Sequence, residues 1–413
     1  MSGRTPPSCL LLCSLTKPAI PFILFRELSL LSLWLLILFG GTLALIMLKY
    51  WLGFNKVPGV GAKKLQALLA ICGDVEKAWH APRSVLIEAR LDRRALRNLL
   101  KAQETLDLDA LQARLQRSGL RALTWDDDDY PAALNRIDAP PPVIFIRGEL
   151  LPEDDWAVAV VGTRRATTYG KEVARKLTTE LARSGVTIVS GLARGIDAVA
   201  HRAALDAGAR TIAVLANGLD QIYPPEHREL ARKITQQGAL ISEQALGTPP
   251  EARNFPARNR IISGLSLGVL VVESPWASGA IITAKQALEQ GREVFAVPGG
   301  ILSANSEGPN RLIKNGAVPV TEVNDILEAL NLTRVAQFVN ARLTLPEDPI
   351  EAQLLDLLSA EPRHIDDIRR QAQLPVQEVS SALAMMELKG IARSVGGMKY
   401  VIAREPGPVY KID

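Results

Sequence analysis

Phe255-Pro256-Ala257-Arg258-Asn259-Arg260-Ile261-Ile262-Ser263-Gly264-Leu265, followed by Leu267-Gly268-Val269-Leu270-Val271-Val272-Glu273, sets polar donors directly against an apolar strand pattern. A buried strand entered through Arg-Asn-Arg is costly unless those donors meet an anion or buried carbonyls. Upstream, Val161-Gly162-Thr163-Arg164-Arg165 and Ser190-Gly191-Leu192-Ala193-Arg194-Gly195-Ile196-Asp197 bring glycine and arginine to the ends of two further apolar runs. Three such segments predict one anion-binding edge on one parallel sheet.

Working outward, apolar strands are expected at Val143–Ile146, Ala157–Val161, Thr187–Ser190, Thr211–Leu215, Ala239–Ser242, Gly268–Glu273 and Glu293–Val297. Helical stretches fill the gaps, for example Tyr169–Arg183, with Thr167 or Thr168 as N-cap and Gly185 just past the end. Near-continuous apolar strands alternating with helices mean a parallel sheet covered on both faces. The fold class is therefore α/β, an extended Rossmann-like, doubly wound parallel sheet, assigned to residues 121–335. Residues 50–120 read as a small helical domain, because leucines such as Leu65, Leu68, Leu69 and Leu96, Leu99, Leu100 recur at helical spacing. Its Val57-Pro58-Gly59-Val60-Gly61 turn fits a helix-hairpin-helix (SAM-like) unit, or equally a plain turn in a helical bundle. Residues 346–413 carry three helices (Ile350–Leu358, His364–Ala372, Val376–Lys389) and then two short strands around Gly396-Gly397, the order of a winged helix.

Residues 1–49 differ from the rest. Leu28 to Leu48 is a 21-residue uncharged run, long enough to span a bilayer. Lys49, Lys56, Lys63 and Lys64 after it would leave the body in the cytosol. Met47 is an equally natural beginning for the helical domain, which would make residues 1–46 an over-extended gene start and the chain cytoplasmic. With 413 residues, 47% hydrophobic and 22% charged, the chain has a soluble protein's composition, and its net charge of +4 permits nucleic-acid binding without demanding it. Cys9, Cys13 and Cys72, with four scattered histidines, offer neither a disulfide framework nor a metal site.

The loop Gly162-Thr163-Arg164-Arg165 lacks both the dinucleotide and the Walker glycine patterns, so what remains is a helix N-terminus with an arginine, suited to a single phosphate. Gly191 and Arg194 belong to a second loop of that kind. Asp197 and His201 share a helix face, but no serine or cysteine nucleophile accompanies them, and they read as capping and packing residues. Asn217-Gly218 is a tight turn whose Asn217 is a further candidate contact. Arg253, Phe255, Arg258 and Asn259 combine charge for a phosphate backbone with a ring for a base, the pairing that single-stranded nucleic acid requires. In this reading Arg253 and Phe255 face the ligand, and Arg260 is structural.

Gly162-Thr163-Arg164, Ser190–Asp197, Phe255–Ile262, Ser278-Gly279-Ala280-Ile281-Ile282-Thr283-Ala284 and Val297-Pro298-Gly299 stand in order, and together they resemble the DprA (Smf) DNA-processing family over about residues 50–403. Gly162-Thr163-Arg164 replaces the family's usual glycine-serine-arginine and keeps a hydroxyl. The hydrophobic residues 1–46 are foreign to the family pattern. The resemblance implies a non-enzymatic bacterial protein, without a cofactor, that binds single-stranded DNA, protects it and loads the RecA recombinase during natural transformation. It also implies a homodimer through the edge that includes Asn310–Val318, with Ile313 as its apolar candidate.

The main rival is a nucleotide phosphoribohydrolase of the lysine-decarboxylase-like group. Val297-Pro298-Gly299-Gly300-Ile301-Leu302 begins like that group's signature but lacks its Gly-Thr and glutamate. A transcription factor acting through residues 350–403 is a weaker alternative. Between Glu351 and Ala403 there are seven acidic residues against six basic, and Val376–Lys389 carries Glu378 and Glu387 against one lysine. A helix reading duplex DNA is normally far more basic, so this module is expected to contact protein or to regulate.

Overall fold

The computed structural model describes residues 47–332, 349–359, 363–388, 392–395 and 398–402. The expected membrane span lies outside these residues except for 47–48, and no described helix is long and apolar enough to cross a membrane. The linker at 333–348 also lies outside them.

Six helices open the described chain: α1 (47–56), α2 (Ala62–Cys72), α3 (Val75–Trp79), α4 (Arg83–Glu88), α5 (Arg93–Thr105) and α6 (Leu108–Arg117). Asp74, Asp92 and Asp107 cap α3, α5 and α6, each accepting a hydrogen bond from a first-turn amide. α1 buries Tyr50, Trp51, Leu52 and Phe54. Its rings meet Trp125 and Trp79 edge to face at 5.6 and 5.2 Å.

The sheet follows, with β1 (Arg121–Thr124), α7 (Ala132–Asn135), β2 (Val143–Gly148), β3 (Ala157–Val161), α8 (Thr168–Arg183), β4 (Thr187–Ser190), α9 (Ile196–Asp206), β5 (Thr211–Val214), α10 (Arg228–Gln237) and β6 (Gly238–Ser242). It continues through α11 (Asn254–Gly264), β7 (Gly268–Val271), α12 (Gly279–Glu289), β8 (Glu293–Ala296), α13 (Glu307–Lys314), β9 (Val318–Pro319) and α14 (Asn324–Ala329). The strand order is β1-β2-β6-β5-β4-β3-β7-β8-β9. From β6 to β9 all pairs are parallel, and the chain reverses its direction of travel between β3 and β7. Ligands of open α/β sheets sit at such a reversal, outside the carboxyl ends of the strands.

Two expectations change here. Val143–Ile146, read as one more strand of a parallel sheet, runs antiparallel to β6 and pairs with the short β1 in the same sense. Arg253–Arg260 is not a loop leading into β7. It forms most of α11, which ends at Gly264 and reaches the strand through Leu265–Leu267.

Side chains alternate across the sheet. Val158, Val160, Ile188 and Leu270 pack with α8, α9 and α14, while Ala159, Val161, Val189 and Val214 pack with α11 and α12. Toward β6, the apolar side of α1–α6 joins Phe145, Leu215 and Leu240 in one continuous core. The carboxyl-terminal unit consists of α15 (Pro349–Leu357), β10 (Arg363–His364), α16 (Ile365–Ala372), α17 (Val376–Leu388), β11 (Ala392–Ser394) and β12 (Lys399–Ile402). Its strand order is β10-β12-β11, and Leu354, Ile368, Val379, Leu383 and Met386 fill its core. It is a winged helix.

Candidate nucleic-acid interface

The carboxyl ends of β3, β4 and β5 release loops 162–167, 191–195 and 215–224, and the loop after β6 leads to α11. The first two loops are locked together. Ile196 donates its backbone N–H to the Thr163 carbonyl at 3.3 Å. Gly195 has φ +77°, and a Cβ there would lie 2.2 Å from that same oxygen, so only glycine fits. Thr163 donates its own N–H to the Glu273 carbonyl at 2.6 Å, which joins the ends of β3 and β7.

Glu273 is 2% exposed. Its carboxylate accepts from the Thr167 amide at 2.9 Å and the Thr167 hydroxyl at 2.5 Å. It thereby occupies the N-terminus of α8, with Thr167 as its cap. The phosphate expected beside Arg164 therefore has to be met by the Arg164 side chain and the 162–166 loop rather than by the buried start of the helix.

Beneath the second loop lies Arg258, 5% exposed. Its Nη1 donates to the Gly191 carbonyl at 2.8 Å and more closely to the Val214 carbonyl, and its Nε donates to Asn259 Oδ1 at 3.2 Å. A Cβ on Gly191 would come within 2.5 Å of the guanidinium. Loss of water lowers the Arg258 pKa to about 10, with nearby Asp197 opposing the change. Asp197 is buried as well, which raises its pKa, and it accepts from the Gly191 and Ala193 amides at 3.1 and 3.3 Å. His201 bonds Thr211 Oγ1 at 2.7 Å, and burial holds its pKa at about 3. The two helix-face residues thus serve the loop and the core separately and do not bond each other.

At the surface, the Arg164 guanidinium lies 5.3 Å from the centre of the half-buried Phe255 ring. Arg258 approaches the same ring at 5.9 Å, and Tyr223, 41% exposed, meets it edge to face at 6.0 Å. Arg253 is the N-cap residue of α11, and its side chain is 79% exposed with a partner in Glu251 at 2.6 Å. Arg194 pairs with Glu226 in the open, where an ion pair contributes little. Both arginines can exchange these carboxylates for a phosphate at small cost.

Of the residues expected at the site, Gly162, Thr163, Arg164, Arg194, Arg253 and Phe255 gather at this edge. Gly191, Asn217, Arg258 and Asn259 lie buried behind it. Asn217 is 1% exposed and donates to the Gly218 and Gln221 carbonyls, while Asn259 donates to the Gly279 carbonyl. In this structure the Arg258 Nη1 and the Asn217 and Asn259 amide groups bond the loops themselves. Arg260 pairs with Glu243 in a half-buried position. Ile313 sits half-buried on α13. In the Pro298-Gly299-Gly300 segment, Asn310 accepts from the Gly299 amide and donates to its carbonyl, at 3.1 and 2.9 Å. Tyr223 and Glu273 were not anticipated. The only sequence cue was a tyrosine in the turn that faces Phe255.

An open, doubly wound sheet with an arginine–aromatic surface at its switch edge, a helical unit before it and a winged helix after it defines a Rossmann-like protein with a candidate nucleic-acid interface. Residues 121–331 match the family described as DNA recombination-mediator protein A, and residues 340–398 match the DprA winged helix domain. Protein Smf of Synechocystis sp. is 36% identical over 388 residues, covering 85% of this chain and 98% of its own. Protein Smf of Escherichia coli is 40% identical over 349 residues, covering 81% and 93%. The X-ray structure of DNA processing protein A (DprA) from Streptococcus pneumoniae superposes with a TM-score of 0.60 at 34% identity, over 68% of this chain and 95% of that one. The chain belongs to the DprA/Smf DNA-processing family.

Proposed function

We propose that this protein binds single-stranded DNA along the carboxyl edge of its sheet and hands the strand to a RecA-type recombinase, without catalysing a reaction. The observation that carries the reading is the Phe255 ring between Arg164 and Tyr223, a surface that takes a base by stacking and a phosphate by charge. Arg253 and Arg194 extend the charge to either side. Charge and a ring face read the backbone and the π-face of any base, so sequence preference is weak. Delivery to the recombinase, a cytoplasmic setting and a homodimer through the Ile313 edge follow from the family resemblance.

The test is fluorescence anisotropy on a labelled single strand and on the matching blunt duplex over a salt titration. Tighter binding to the single strand is expected, and equal or tighter binding to the duplex would refute the reading. Strand exchange with RecA on strands coated by a single-strand-binding protein should speed up when the protein is added. An unchanged sedimentation profile for Ile313→Glu would remove Ile313 from the dimer surface.

A further inference from the structure

Four exposed arginines on the helices of this protein have an acid one turn away. Arg175 pairs with Glu172, Arg232 with Glu229, Arg311 with Glu307 and Arg370 with Asp367. α5 instead gathers several cations on one face without such partners. Its outward residues Arg93, Arg94, Arg97 and Lys101 are all exposed, as are Arg83 and Arg90 just before it, and none of the six forms an ion pair among the described residues. Arg93, Arg97 and Lys101 repeat at intervals of four, where like charges repel and weaken a helix. Asp92, the acid nearest the ridge, is occupied by Lys64 and by capping α5.

The ridge adjoins the 57–61 hairpin. Asn98 of α5 donates to the Pro58 carbonyl at 2.8 Å, and Lys64 donates to the Gly59 carbonyl at 2.8 Å. From Arg93 to Lys101 the helix rises about 12 Å, some three to four steps of a DNA strand at about 3.4 Å each. The aromatic residues Tyr50, Trp51, Phe54 and Trp79 are buried, so this side of the helical unit has charge and no ring for an unstacked base. The unit also abuts the loops around the Phe255 surface. Asn55 donates to the Glu243 carbonyl at 2.9 Å, Lys56 to the Leu246 carbonyl at 3.2 Å, and Arg114 meets Asp220 at 3.4 Å.

We propose that α5 and the adjoining hairpin form a sequence-independent contact for duplex DNA, so that the protein seats itself where a single strand runs into a duplex. The junction part rests on single-strand binding at the Phe255 surface, and the duplex contact does not. Backbone charge without stacking is the chemistry of non-specific duplex binding, and an unneutralised ridge is a stability cost with no packing return.

The experiment measures anisotropy of the full chain on three labelled probes: a single strand, the same strand half annealed to a complement, and the blunt duplex. The wild type should bind the half-annealed probe about tenfold more tightly than the strand alone. The triple variant Arg93→Glu, Arg94→Glu, Arg97→Glu should lose that gain while keeping its single-strand affinity. Its salt slope on duplex should flatten by about 0.9 per lost phosphate contact. Circular dichroism checks folding, and the triple glutamine variant substitutes if the glutamates disturb it. An unchanged junction gain in the folded variant overturns the proposal, as does an equal loss on all three probes. A wild type that binds duplex through the ridge but fails on the single strand would instead sink the Phe255 reading and leave the duplex contact standing.

Discussion

Arg258 and Arg164 approach the same phenylalanine and have opposite tasks. Arg258 belongs to the floor of the crevice, buried with its Nη1 on two backbone carbonyls and its Nε on Asn259. Arg164 belongs to the rim and keeps its donors for whatever arrives. A buried arginine is tolerable only when its surroundings replace its water, so the floor gains shape from the charge. The rim turns its charge outward, and chemical similarity between two arginines says little about which task each performs.

The largest effect separating floor from rim is expected for Arg258→Ala. It strands the Gly191 and Val214 carbonyls and takes from the buried Asp197 the stronger of its two nearby cations, a loss of about 3–5 kcal/mol in chemical denaturation. Wild-type stability combined with lost DNA binding would move Arg258 to the rim. Gly195→Ala comes next, at about 1–3 kcal/mol from the strained backbone alone, and DNA affinity should fall with it because two loops are displaced together.

Acidification probes the floor through His201. Its folded pKa of about 3 lies below the ordinary value of 6.5, so the unfolded chain binds the proton more readily. The stability that neutral His201 contributes is complete above pH 6.5 and drains away as pH falls towards 3. Between pH 6.5 and 4.5 the loss approaches about 1.4 kcal/mol per pH unit. The raised pKa of Asp197 acts in the opposite sense and blunts the fall. Stability-against-pH curves for wild type and His201→Gln should diverge over that interval, and parallel curves would mean that folding does not change the proton affinity of the histidine.

On the rim, Phe255→Ala should cost about 1–3 kcal/mol of single-strand affinity. Arg164→Ala and Arg253→Ala should each flatten the salt slope by about 0.7, with an unchanged melting temperature. A lower melting temperature with an unchanged slope would return either arginine to the floor. The smallest effect is expected far from both regions. Glu378→Ala in α17 should leave single-strand binding within about 0.5 kcal/mol of wild type, and a tighter complex would show that the winged helix touches this DNA.

The sheet was legible because its strands are apolar runs ended by glycine or polar residues, and β3 and β4 have the expected bounds. Strand direction was not legible, since apolar content is the same for β2 whichever way it runs. α11 stayed hidden because its inward face carries Arg258 and Asn259 along with Ile261 and Ile262, and a polar core position breaks the 3.6-residue apolar pattern. Phe255 and Arg164 stood out as a ring and a charge in turns. Glu273 did not, because a carboxylate at a strand end reads as solvated until a helix N-terminus is found above it.

β9 is two residues long, lies outermost in the sheet and ends in Pro319, which has no amide to donate. A margin so short cannot template another strand. When many copies crowd along one DNA molecule, the route from neighbours to a cross-linked β-fibre is closed on that side. Any self-association on that side would have to join side-chain faces rather than strand edges.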